Sequence, residues 1–155
     1  MNNDSVTIEI PEPHFSVFNT TREDLPAVVV VNDALLSFQH TDIFPWHLVV
    51  TLEAADLVDR RMPSPDESNI LFEIGDKIEG AVVGSNAIFL ARSTWNGLRQ
   101  LVFRVYDPEV ANATLQALIK DEQSRPWEFK MQGDSDWREA GFYFQLFPSA
   151  SGNDA

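Results

Sequence analysis

The stretch from Ser64 to Pro108, SPDESNILFEIGDKIEGAVVGSNAIFLARSTWNGLRQLVFRVYDP, decides the fold. It opens with Ser64-Pro65-Asp66-Glu67, a helix start: Ser64 can accept from exposed amides, Pro65 suits the first turn, and Glu67 completes a capping box. Ile70, Leu71, Ile74, Ile78, Ala81 and Val82 then recur at helical spacing and form one apolar stripe, with Gly84 as the stop. Two strands follow, Ala87 to Ser93 and Leu98 to Tyr106. Asn96-Gly97 between them tolerates the positive φ angles of a tight primed turn. Asp107-Pro108 repeats the helix-start chemistry, and Ala111, Leu115, Leu118 and Ile119 supply the buried stripe of a second helix.

Working outward, Trp46, Leu48, Val50 and Leu52 alternate with more polar residues, as on a half-buried strand. Trp127 to Gln132 and the aromatic Gly141 to Phe147 read as two closing strands. His14 to Thr20 and Ala27 to Asn32 read as an early hairpin, the four valines 28–31 favouring an extended backbone. From Trp46 the order is strand, helix, strand, strand, helix, strand. The fold class expected is therefore α+β: a ferredoxin-like βαββαβ unit with an N-terminal β-hairpin and an extra C-terminal strand. One domain over residues 6–148 is expected, with residues 1–5 and 149–155 as flexible tails.

Composition fits that reading. The 155 residues suit one domain, and a hydrophobic fraction of 44% with 11 Phe, 4 Trp and 2 Tyr supplies a core. With no cysteine, disulfides, thiolate metal sites and cysteine nucleophiles are excluded. The start is polar and acidic, unlike a secretory signal, and no apolar run approaches the ~20 residues of a membrane span, so a cytoplasmic location is expected. Net charge is −13, which opposes direct binding to phosphate backbones. The charge is uneven: residues 1–80 carry 15 acids and 4 bases, residues 81–155 carry 9 and 7. That asymmetry suits either plain solubility or attraction to a basic partner.

Catalytic signatures are thin. His14, His40 and His47 lack metal-ligand spacing, and His40-Thr41-Asp42 alone does not make a site. There is no nucleophile elbow and no phosphate loop, so no catalytic, metal or cofactor residue is assigned, and no cofactor. Among the paired carboxylates, Asp134-Ser135-Asp136-Trp137 is the best candidate for acid–base work. It also reads as a polar turn before a strand, with Trp137 anchoring the core. Trp95 at the hairpin tip is either an exposed contact or folded back over the sheet. On the first helix, Phe72 falls among Glu73, Asp76 and Glu79, away from the apolar stripe. Either the early hairpin or the Arg60–Arg61 loop covers it, or it is one of the scattered apolar groups every surface carries, or Phe72 is an apolar anchor with carboxylates steering a basic partner.

Several landmarks in sequence order resemble the bacterial DUF695 family, a family of unknown function. They are Phe44-Pro45-Trp46 leading a strand, Met62-Pro63 before the acidic helix start, Arg92-Ser93-Thr94 with Asn96-Gly97, Phe103 to Pro108, Asp136-Trp137 and Phe147-Pro148. The family in turn is similar in shape to the ribonuclease E regulator B proteins, which are small, acidic and ferredoxin-like and act by binding a protein. The resemblance implies a binder and carries over no catalytic residues. Three functions follow as expectations. The first is a non-catalytic regulator, inhibitor or immunity-type neutraliser of a basic protein such as a nuclease, using Phe72, Glu73, Asp76, Glu79 and Trp95. The second is a hydrolase with a carboxylate pair, and the third an assembly component dimerising through an open sheet face. Monomer and dimer both remain open.

Overall fold

The structure is a computed structural model and describes residues 9–147, so the expected tails at 1–5 and 149–155 lie outside it. Eight strands and three α-helices follow one another as β1 (Phe15–Arg22), β2 (Leu25–Asn32), β3 (Trp46–Glu53), β4 (Leu57–Val58), β5 (Met62–Pro63), α1 (Pro65–Val82), β6 (Ala87–Trp95), β7 (Leu98–Val105), α2 (Pro108–Asp121), β8 (Trp127–Gly133) and α3 (Arg138–Phe144). Six strands form one sheet in the order β1-β2-β6-β7-β3-β8, and β4 pairs with β5 in a small ribbon. Every neighbouring pair is antiparallel. The order β6-β7-β3-β8, with α1 and α2 as crossovers, is compatible with the ferredoxin-like expectation. The early hairpin extends that sheet through β2 beside β6 and covers neither face.

Local chemistry explains the elements. Ser64 Oγ accepts from Glu67 N at 3.1 Å and Asp107 Oδ1 accepts from Glu109 N at 2.9 Å, so both expected caps form. The capping box is only half made, because the Glu67 side chain turns to Arg125 and the Ala55 amide. Asn96 and Gly97 take φ angles of 54° and 75°, and Glu23 and Asp24 of 52° and 67°, the geometry of tight hairpins. At Gly97 a Cβ would meet Leu57 Cδ1 at 3.2 Å, so the turn needs glycine for space as well as for φ.

The sheet is buried on both sides. On one, Leu71, Ile74, Ile78 and Val82 of α1 and Ala111 and Leu115 of α2 pack on Leu48, Val50, Leu52, Phe89, Leu101 and Phe103. Ala81, placed in the apolar stripe by spacing, is exposed at its margin. On the other, Trp137, Ala140 and Tyr143 pack with Phe44 and Leu35 on Val29, Val31, Leu90 and Val102. The central strand β6 is consequently buried without interruption from Ala87 to Ala91, with a bulge between Phe89 and Ala91.

The extra C-terminal strand does not form: residues 138–144 are helix α3. Aromatic density suggests a strand, but Trp137, Ala140 and Tyr143 repeat every three residues and place one helical face on the sheet. The carboxylate of Asp134 accepts from the amides of Arg138 at 3.0 Å and Glu139 at 2.9 Å, which starts the helix from outside it. Ile74 and Leu115 are both buried between helices and sheet. Truncating either to Ala should cost about 2–5 kcal/mol in urea unfolding. Exposed Ala81→Ser in the same helix should cost well under 1 kcal/mol, or burial is not what holds α1.

Candidate functional site

The second face is organised by Arg104, a fully buried side chain of β7. Its guanidinium donates to Phe44 O at 3.3 and 3.2 Å, to Asp134 O at 2.5 Å, to Asp134 Oδ2 at 2.9 Å and to His47 Nδ1 at 3.1 Å. It also lies over the Trp137 ring at 4.6 Å, whose own Nε1–H donates to Thr41 O and Phe44 O. Burial pulls Arg104 down, while Asp134 holds it up. Burial pushes Asp134 up, but the Glu139 amide, Arg104 and the Arg138 amide outweigh it, so its carboxyl lies below the usual range. Asp134-Ser135-Asp136 is thus the polar turn anchored by Trp137, leading into a helix rather than a strand. Asp134 is an ion-pair partner of Arg104 there, not half of a carboxylate dyad.

Arg104 fixes the state of His47. A guanidinium N–H can only donate, so His47 Nδ1 must be an acceptor and a neutral ring carries its proton on Nε2. Burial first, then Arg104, lowers the ring from 6.5 to about 4. Nε2 faces a cleft of about 550 Å³ between α3 and the β3–β8 half of the sheet. His47, Thr51, Gln100 and Lys130 form part of its floor, and Tyr143 of α3 part of its wall. His47 is 5% and Tyr143 7% exposed, and no hydrogen bond among the described residues engages Nε2 or the Tyr143 hydroxyl. Burial pushes the Tyr143 hydroxyl up to about 12, so it stays protonated.

The residues expected from sequence to form a contact site lie on the other face, and only some of them come together. Phe72 is 40% exposed. Arg92 of β6 and Arg99 of β7 sit against its ring, at 4.9 and 4.5 Å from its centroid. Asp76 and Glu79 share this flank: burial and then Asp76 raise the Glu79 carboxyl, and Arg92 opposes them. Glu73 instead adds to the field on Lys77, whose Nζ bonds Glu122 Oε1 at 2.5 Å on the α2 side. Trp95 makes its contacts elsewhere. It pairs with Ala27, donates through Nε1 to Arg22 O at 2.8 Å and carries the Arg22 guanidinium over its ring at 4.2 Å.

Sequence reasoning missed Arg99, Arg92, Arg104 and His47 as site-forming groups. Arg99 is buried, donates to Thr94 Oγ1 and Ser68 Oγ, and has no acceptor for Nη1 among the described residues. The available signal was charge in a strand: Arg92, Arg99 and Arg104 interrupt two mostly apolar strands, and a charge inside a buried strand requires a specific partner. Among the described residues no three His, Asp or Glu side chains gather as a metal-ligand group, and no helix is long and apolar enough to cross a membrane.

The His47 geometry has a pH consequence. The unfolded ring takes up its proton near pH 6.5 and the folded ring near 4. The unfolded state therefore binds more protons between those values, and stability from this group is full above the first and lost as pH falls toward the second. Urea unfolding at about pH 7 and about pH 4.5 should show wild type losing roughly 2–3 kcal/mol more than His47→Asn, which keeps an acceptor for Arg104 but cannot titrate. Equal losses would show that His47 is not held neutral.

No curated protein and no solved structure matches the chain. The expected likeness to the ribonuclease E regulator B proteins therefore stays a resemblance. Residues 14–147, spanning every strand and helix described above, match the family of unknown function DUF695. The chain belongs to that family.

Proposed function

We propose that the protein is a non-catalytic binding module, a regulator, inhibitor or immunity-type neutraliser of a basic protein partner such as a nuclease. The observation that carries this reading is one stretch of surface beside α1. Phe15 and Val17 of β1 are 49% and 61% exposed on the α1 side of the sheet. Val17 pairs with Val30, Val30 with Arg92, and Arg92 reaches the Phe72 ring, so these groups are contiguous. Asp76 and Glu79 lie close enough to Arg92 for their charges to act on it, and so border that strip. Exposed apolar anchors with an acidic border suit a partner whose contact face is basic around an apolar centre. Strand β1 pairs only with β2 among the described residues, which leaves its outer edge free to add a strand from that partner.

The same open edge favours a second reading, antiparallel pairing of β1 with β1 of another copy. A net charge of −13 per chain opposes it, since two such molecules repel.

Surface-plasmon kinetics with the captured partner test the proposal. Val17→Asp and Phe72→Ala should mainly speed dissociation, by about tenfold or more for an anchor. Replacing Glu73, Asp76 and Glu79 with Gln, Asn and Gln should mainly slow association and flatten its salt dependence, with Asp76 and Glu79 dominating. Folded variants that all bind like the parent would overturn this surface as the site. A concentration-dependent dimer abolished by Val17→Asp would favour the second reading instead.

A further inference from the structure

We propose that the cleft between α3 and the β3–β8 half of the sheet is a second binding site, for a short zwitterionic peptide with both termini free. It stands apart from the α1 surface and does not rest on the partner proposed there.

The cleft is built rather than incidental. Two side chains that are more than nine-tenths buried, His47 and Tyr143, line it, and among the described residues neither His47 Nε2 nor the Tyr143 hydroxyl has a hydrogen-bond partner. Among the described residues the one fully buried side-chain polar atom without a partner is Arg99 Nη1, so Nε2 and the Tyr143 hydroxyl are atoms of largely buried side chains that open onto the cleft. The proton on Nε2 is not free to leave, because Arg104 occupies Nδ1 from behind. His47 and Tyr143 therefore each present a hydrogen-bond donor to the cleft, and what they await is an acceptor oxygen.

Charge selects the class of ligand. The charged side chains of the lining are Arg22 and Lys130 against Glu128 and Glu139, a balance of two and two in a chain of net charge −13. A simple anion would meet the two glutamates and the field of the whole molecule. A simple cation would meet Arg22 and Lys130. A zwitterion can place a carboxylate toward the cations and donors and an ammonium toward the glutamates, satisfying both pairs. Thr51 and Gln100, on the same floor, both donate and accept, as a peptide bond between those ends requires.

Size sets the length. The floor runs along β3 from His47 to Thr51, roughly 13 Å at about 3.4 Å per residue, which matches about three or four extended residues. The volume of about 550 Å³ lies within the range of small-ligand sites and exceeds that of one amino acid.

The test uses tri-L-alanine at millimolar concentration, followed by ¹⁵N NMR on the full chain. Binding should shift His47 Nε2 and the amides of Thr51, Gln100 and Lys130. The same tripeptide acetylated at its N-terminus and amidated at its C-terminus should bind about tenfold more weakly or worse, having lost both charges. Tyr143→Phe, which removes one hydroxyl, and Lys130→Met should each weaken binding about fivefold or more at unchanged thermal midpoint. His47→Asn should do the same, and if it fails to fold the other two variants decide. No shift at millimolar tri-L-alanine overturns the proposal, as does equal binding of the blocked peptide or indifference of the affinity to Tyr143→Phe and Lys130→Met.

Discussion

The structure depends on one buried cation. Arg104 donates to two backbone carbonyls, one carboxylate and one imidazole, and the groups it joins come from four parts of the chain: Phe44 before β3, His47 in β3, Arg104 itself in β7, and Asp134 after β8. A guanidinium withdrawn from water is costly unless nearly every donor is used and a counter-ion is close. The Asp134 carboxylate meets that demand and also accepts two amides of α3. Placement of the third helix and neutralisation of Arg104 are thus one event. Losing Asp134 would leave the cation unpaired and α3 uncapped together, and deletions of one partner in a buried pair typically cost about 3–5 kcal/mol.

The two faces of the sheet treat arginine in opposite ways. Behind α3 the buried cation has a carboxylate. Beneath α1, Arg99 has only the hydroxyls of Thr94 and Ser68 and the face of Phe72, and burial pulls it down to about 10, with Arg92 adding to the effect. A ring face offers a buried cation a weaker partner than a carboxylate, on the order of 2 kcal/mol when desolvated. This explains why Phe72 sits off the apolar stripe: its position is set by the two cations under it. The ring's remaining exposed side is held in place from beneath, which suits a contact residue because its rotamer entropy is already lost.

Much of the fold was legible where local chemistry and tertiary demand agree. Ser64 and Asp107 cap helices as their side-chain oxygens suggest, Asn96-Gly97 turns as its φ tolerance suggests, and the β3 alternation survives because that strand has chemically different sides. The misreadings occurred where a long-range partner overrode the local signal. Glu67 leaves the capping box for Arg125, 58 residues away. The aromatic run of α3 becomes helical because Asp134 caps it and Trp137 must reach Arg104 and Phe44. Of the residues expected at a contact site, Phe72, Asp76 and Glu79 share one flank of α1. Glu73 lies about a third of a turn away and Trp95 stands at the end of β6 against Arg22, because spacing on a helix does not say which flank the sheet will cover.

The cleft's chemistry follows from the same buried cation. An imidazole on a strand is ordinarily free to choose its tautomer, and near neutral pH to gain a second proton. Here Arg104 removes both choices by filling Nδ1 and by repelling a second charge. The donor that His47 offers the cleft is therefore a property of the fold, fixed by a residue the cleft does not touch. A ligand there would meet a neutral N–H of constant direction from neutral pH down to about 5, a preorganised contact whose ordering cost folding has already covered. The acidic rim beside α1 acts through a long-range, salt-sensitive field, whereas the cleft acts through two buried donors and balanced charges. Salt should weaken the contacts to exposed charges at both places and leave the hydrogen bonds of His47 and Tyr143 largely alone.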